Sequence, residues 1–89
     1  MSQIFANPDE LERFASVLSA YLETITDTTN SLNGEFQGLG DTWQDSQRQR
    51  FEETFNTLLQ SIATFRESAQ EQIPYLAALV ARLREYAST

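Results

Sequence analysis

Apolar residues return every seven positions along most of this chain, and that spacing commits it to long amphipathic helices. Leu11, Leu18, Ile25, Leu32 and Leu39 form one series, and Phe14, Tyr21 and Thr28 fill interleaved positions of the same stripe. Past residue 45 the pattern resumes. Phe51, Leu58, Phe65, Leu79 and Tyr86 fall on one series, and Phe55, Ile62, Ala69, Leu76 and Leu83 on another. Leu59, Ile73, Ala77 and Val80 widen this second stripe beyond the seam of a two-stranded coil, enough to touch more than one neighbour.

Local signals set the helix ends. "NPDE" at 7 to 10 opens the first helix: Asn7 can accept from free N–H groups of the first turn, Pro8 suits the first helical position, and Asp9 and Glu10 favour the positive end of the helix dipole. The stretch "TITDTTNSLNG" is poor in helix formers, yet the apolar phase survives it at Ile25, Leu32 and Leu39, so the helix is expected to continue. In the second helix Gln72 interrupts the series and Pro74 follows. The ring removes the hydrogen bond to the Gln70 carbonyl, and a kink is expected there.

Between the stripes lies "GLGDTWQD", residues 38 to 45, with two of the chain's three glycines and its one tryptophan. Gly38 and Gly40 permit positive φ at the end of helix one. Asp41 or Thr42 can cap helix two, with Asp45 at the third helical position of a capping box. A connection this short makes the helices antiparallel neighbours. The expected fold is all-α: a single helix-turn-helix hairpin domain over 1–89, with an extended segment at 1–7, helices at about 8–38 and 43–86, and a turn at 38–44. Trp43 then sits on the first turn of helix two. There it either plugs the closed end or leaves part of its indole exposed as an anchor for a partner.

At 89 residues a lone chain is only marginally stable, and with no Cys and no His neither disulfides nor the usual transition-metal sites can help. No cofactor is expected. A formal charge of −7, with Arg the only basic residue type, repels polyphosphates and anionic bilayers, which argues against nucleic-acid binding. The opening "MSQIFANPDELERF" lacks the pattern of a signal peptide, and no apolar run approaches the length of a membrane span. The chain is expected to be made in the cytoplasm without membrane insertion, and any export would use a route that reads no cleavable signal. No enzyme is expected either: His, Cys and Lys are missing, and the paired acids Asp9–Glu10 and Glu52–Glu53 occupy adjacent helical positions that point different ways.

If the bend centres near residue 40, Asn7 lies opposite Pro74, and "YLAALVARLREY" overhangs with Leu76, Leu79, Val80, Leu83 and Tyr86 uncovered. Ile4 and Phe5 of the N-terminal segment could cover it, as could a second hairpin. The stripe is too wide for one partner, so two hairpins are expected to form a four-helix bundle, with a homodimer the first choice. The interface residues are Phe14, Leu18, Ile25, Phe51, Leu58, Ile62, Phe65, Leu76 and Leu83, and the turn motif is Gly38, Gly40, Trp43 and Asp45.

Size, hairpin and central tryptophan turn resemble the WXG (Trp-X-Gly) family of small helical proteins of type VII (ESX) secretion, over nearly the whole chain. Position 45 is Asp where the family pattern has Gly. The Tyr-X-X-X-Asp/Glu tail of many secreted members is also missing, since Leu79 follows Tyr75 by four and only "AST" follows Tyr86. The resemblance implies a secretion substrate, or a chaperone-like partner of one, that pairs with itself or a related WXG-like chain and engages a secretion-machine component or effector. The alternatives are an intracellular binding module and a self-assembling subunit such as a type III secretion needle protein, which resembles this chain in length but has a Pro-rich turn without the Trp.

Overall fold

The computed structural model describes residues 6–87. Two helices, α1 (Pro8–Gly38) and α2 (Ser46–Ala87), run antiparallel and are joined by a single 3₁₀ turn, Gly40–Thr42. Among the described residues there is no strand. The particle measures 66 × 24 × 14 Å, one helix layer thick.

α1 begins as its sequence indicates. Asn7 is extended (φ −93°, ψ 119°), and its Oδ1 accepts the N–H groups of Asp9 (2.9 Å) and Glu10 (3.1 Å). The helix then passes unbroken through the Thr-rich stretch. Packing outweighs propensity there, because Leu22 and Phe36 on either side are buried against α2 while Ile25, Thr26 and Thr29 between them are half-buried. The Thr26 hydroxyl donates back to the Leu22 carbonyl (2.8 Å), which disposes of its polar group inside the helix.

The turn departs from expectation in three respects. Gly40 alone takes positive φ (+47°), and Gly38 remains the last residue of α1. Neither Asp41 nor Thr42 caps α2: Asp41 accepts from Gln44 Nε2 (2.9 Å), and Thr42 donates its hydroxyl to the Leu39 carbonyl. The cap is Asp45, whose Oδ1 accepts the N–H groups of Gln47 (2.9 Å) and Arg48 (3.1 Å), so α2 starts at 46 and not 43. Trp43 is extended (φ −131°, ψ 96°) and outside either helix. The reason lies in phase. At about 100° per residue, a helical residue 43 would point roughly 120° away from buried Phe55, whereas an extended one can fold back toward α1.

α2 continues through Pro74 as one helix. Its register corrects the expected overhang. Arg84, and not Pro74, stands opposite the start of α1, with its guanidinium on Glu12 (2.8 Å) and Asp9 (2.9 Å). A bend centred past residue 40 moves each partner on α2 about twice as far along, and Phe36 packs on both Phe51 and Phe55. The surplus length of α2 therefore lies at the closed end, under the turn. Val80 is buried and Leu76, Leu79 and Leu83 are half-buried, while Tyr86 remains exposed. Cover by Ile4 and Phe5 lies outside the described residues.

Candidate interaction face and the tryptophan turn

The seam between the helices is thin. Among the described residues only Leu22, Phe36, Phe55, Ala69 and Val80 are buried. On α1, Leu22, Thr29 and Phe36 recur at seven-residue spacing, a series that the sequence hides because Thr occupies its middle position. Phe36 is the hub of the closed end. Its ring meets Trp43 at 6.4 Å, Phe51 at 5.3 Å and Phe55 at 5.6 Å, all edge-to-face, and Phe51 stacks on Phe55 at 5.7 Å.

The louder sequence stripes lie beside this seam, on one open face of the hairpin. Phe14 (56 % exposed), Val17, Tyr21 (50 %) and Leu32 on α1, with Leu39 at its C-cap, fall within roughly 60° of one another. Phe51, Leu58 (44 %) and Phe65 (49 %) occupy the corresponding side of α2. Tyr21 and Phe65 touch across the helices at 6.4 Å, edge-to-face, although each is about half open, which fixes the two stripes on the same face. Of the interface residues expected from sequence, Phe14, Phe51, Leu58 and Phe65 lie on this open face. Leu18, Ile25, Ile62, Leu76 and Leu83 are half-buried along the seam. Val17 was the member missed, although its position three after Phe14 and four before Tyr21 marks it.

The opposite face is polar. Ser19, Glu23, Asp27 and Gln70 border an open groove floored by Leu22, Arg66 and Ile73. Arg66 donates from Nη1 to the Thr26 hydroxyl (3.1 Å), a polar contact between the helices that holds their register. At the open end Arg84 bridges Asp9 and Glu12 in exposed ion pairs. Hydrogen bonding and charge from Arg84 lower the Glu12 pKa from its ordinary 4.5, and the same contacts with Glu12, then Asp9, raise that of Arg84.

At the turn, Trp43 is half-buried with its indole against Phe36 and Phe51 (6.1 Å). Asp45 caps α2, Gly40 supplies the left-handed residue, and Gly38 belongs to α1. The turn thus closes the aromatic cluster and leaves Trp43 half-buried. Among the described residues no group of acidic side chains is arranged to hold a metal ion, and no helix is long and apolar enough to cross a membrane.

Comparison with known proteins agrees with this geometry. The family model described as proteins of 100 residues with WXG matches residues 3–86. Comparison with curated proteins gives no match.

Proposed function

As the chain belongs to the WXG100 family, small helical proteins of the type VII secretion-related kind, we propose that it works by binding: two copies join through the open apolar face into a four-helix bundle, which serves as a substrate, or as the chaperone-like partner of a substrate, of an ESX-like machine. The observation that carries the reading is the amount of surface left open. A compact folded chain of 10.1 kDa exposes about 5,300 Å². This chain exposes 7117 Å². The excess, roughly 1,800 Å², is about twice the ~800 Å² that one partner contributes to a standard stable interface. Half-open Phe14, Tyr21, Leu58 and Phe65 supply the apolar centre such an interface needs.

A second copy is the occupant favoured here because the face is apolar along its middle, where Phe14, Tyr21, Leu58 and Phe65 would meet the same side chains of a copy turned about a two-fold axis. The remaining polar face, with Glu23 and Asp27, stays outward and keeps the dimer in solution. The same surface would accept a related WXG-like chain, and an effector or machine component would then engage the assembled bundle.

Sedimentation equilibrium of the full chain at low micromolar concentration tests the first half of this reading: a dimer is expected, and a stably folded monomer refutes it. Immunodetection in culture supernatant, with the secretion ATPase intact or deleted, tests the second. ATPase-dependent appearance supports a substrate. Retention in both strains refutes export and leaves the bundle an intracellular partner.

A further inference from the structure

We propose that Arg48 is a positioning residue that holds Trp43 in place before any partner arrives, with Asp45 setting the helix start that lets it do so. Apart from Trp43, the turn is open. A Cβ added at Gly38 or Gly40 would meet nothing within 4 Å, and Asp41, Thr42 and Gln44 bond only within the turn itself or to the end of α1. Among the described residues, one side chain of α2 hydrogen-bonds to the backbone of the turn. Arg48 donates from Nη1 to the carbonyls of Gly40 and of Trp43 (3.1 Å to the latter), which span the 3₁₀ turn from its first residue to the tryptophan. The same guanidinium lies over the Phe36 ring, Cζ 5.0 Å from its centroid, and Phe36 is the ring against which the indole packs. Arg48 therefore fixes both the backbone that carries Trp43 and the floor on which it rests.

Asp45 makes this possible. By capping α2 it starts the helix at Ser46 and puts Arg48 in the first turn, its N–H on the Asp45 carboxylate at 3.1 Å, with the side chain free to reach back across the bend. Among the described residues Arg48 forms no ion pair with a carboxylate, and the side-chain bonds it makes, both from Nη1, go to the turn. With Nη1 serving both carbonyls, the flat, delocalised guanidinium can lie against the ring at the same time, a stacking that a compact, strongly hydrated lysine ammonium does not reproduce. An indole held this way meets a partner with its orientation already set, and less freedom is lost on binding.

The inference rests on the reading that the apolar face, which the indole borders through Phe51, receives a second copy. The test separates the two. In the full chain, with its single Trp, Arg48→Met is expected to lower the near-UV dichroism of the indole and raise its acrylamide quenching, each about twofold, at matched association state and with helicity retained. Arg48→Lys should recover less than half of either change. By sedimentation equilibrium Arg48→Met should weaken self-association about five- to tenfold, with no further weakening in a Trp43→Phe background. Unchanged indole signals in Arg48→Met overturn the proposal, as does equal weakening with and without Trp43. If the unaltered chain does not self-associate, the reading of the face fails and the indole signals alone decide the role of Arg48. Should Arg48→Met lose helicity, Arg48→Lys replaces it, and full indole order in that variant refutes a need for the planar fork.

Discussion

Truncating Phe65 to alanine should disrupt association far more than it disrupts the hairpin. A phenylalanine side chain buries about 200 Å² when fully enclosed, and Phe65 is still 49 % exposed in the single chain. About 100 Å² is therefore left for a partner to cover, equivalent to about 2.5 kcal/mol at ~25 cal/mol per Å². A symmetric interface contains the residue twice, so the upper bound is about 5 kcal/mol, and incomplete burial brings it to about 2–3 kcal/mol. At 1.4 kcal/mol per tenfold, the dissociation constant should rise by about 30- to 140-fold. Within the hairpin the loss is smaller: the edge-to-face contact with Tyr21 at 6.4 Å, about 0.5–1.5 kcal/mol, plus the area already buried. Sedimentation equilibrium across three decades of concentration measures the first quantity, with helicity followed by far-UV dichroism, and Gln70→Ala on the polar face is the control. If Phe65→Ala and Gln70→Ala associate within threefold of each other, the open face is not where the chains meet and the area argument is wrong.

Three further outcomes follow from local structure. Asp45→Ala should cost about 1 kcal/mol in thermal unfolding and Asp45→Gly only a few tenths, because glycine tolerates the cap position that alanine does not; equal losses would refute the capping role given by its two accepted N–H bonds. Gly34→Ala should stabilise the chain by about 0.5–1 kcal/mol, since Gly34 is inside α1 and an added Cβ meets nothing within 4 Å, and a lowered melting temperature would contradict that. Glu12 has its pKa lowered from 4.5 by Arg84; its contribution should be complete above that ordinary value and lost as pH falls through the lower folded one, so the stability gap between the unaltered chain and Glu12→Gln should close on acidification. A gap that does not change with pH would place the effect elsewhere.

The two helices and the bend between them were legible because each rests on a signal that acts locally. Asn7, Pro8 and the acids after them define the start of α1 through bonds made within one turn. The seven-residue series likewise reports on a helix irrespective of what covers it. The position of the cap on α2 was not legible, because Asp41, Thr42 and Asp45 are all competent acceptors and the choice among them depends on where Trp43 must go. Only the cluster around Phe36 decides that. The register followed from the cap: placing the bend a few residues early put Pro74 opposite the start of α1, where Arg84 stands. Arg48 carried no signal of its own in the sequence, being one of six arginines, and it gains its place only once α2 is known to begin at Ser46.

The buried seam and the apolar stripe are different surfaces, and the physical demands on them explain why the sequence displays the stripe more clearly. Two helices meeting along a line need one row of contacts, and that row tolerates small or polar members if each finds a bond. Ala69 is buried there, Thr26 returns its hydroxyl to Leu22, and Arg66 reaches that same hydroxyl. A broad face needs bulk at every position to exclude water across its width, and Phe14, Tyr21, Leu58 and Phe65 provide it. In the proposed dimer the strongest periodicity would mark where the largest area leaves water, which is not where a single chain is best packed. On the proposed dimer, a second copy would cover the edge of the thin seam where Tyr21 meets Phe65, so hairpin stability would gain from partner binding. Lowering the concentration would then cost the fold as well as the complex, and the tryptophan turn, tied down by Arg48 at the end of that face, would be the part least dependent on the second copy.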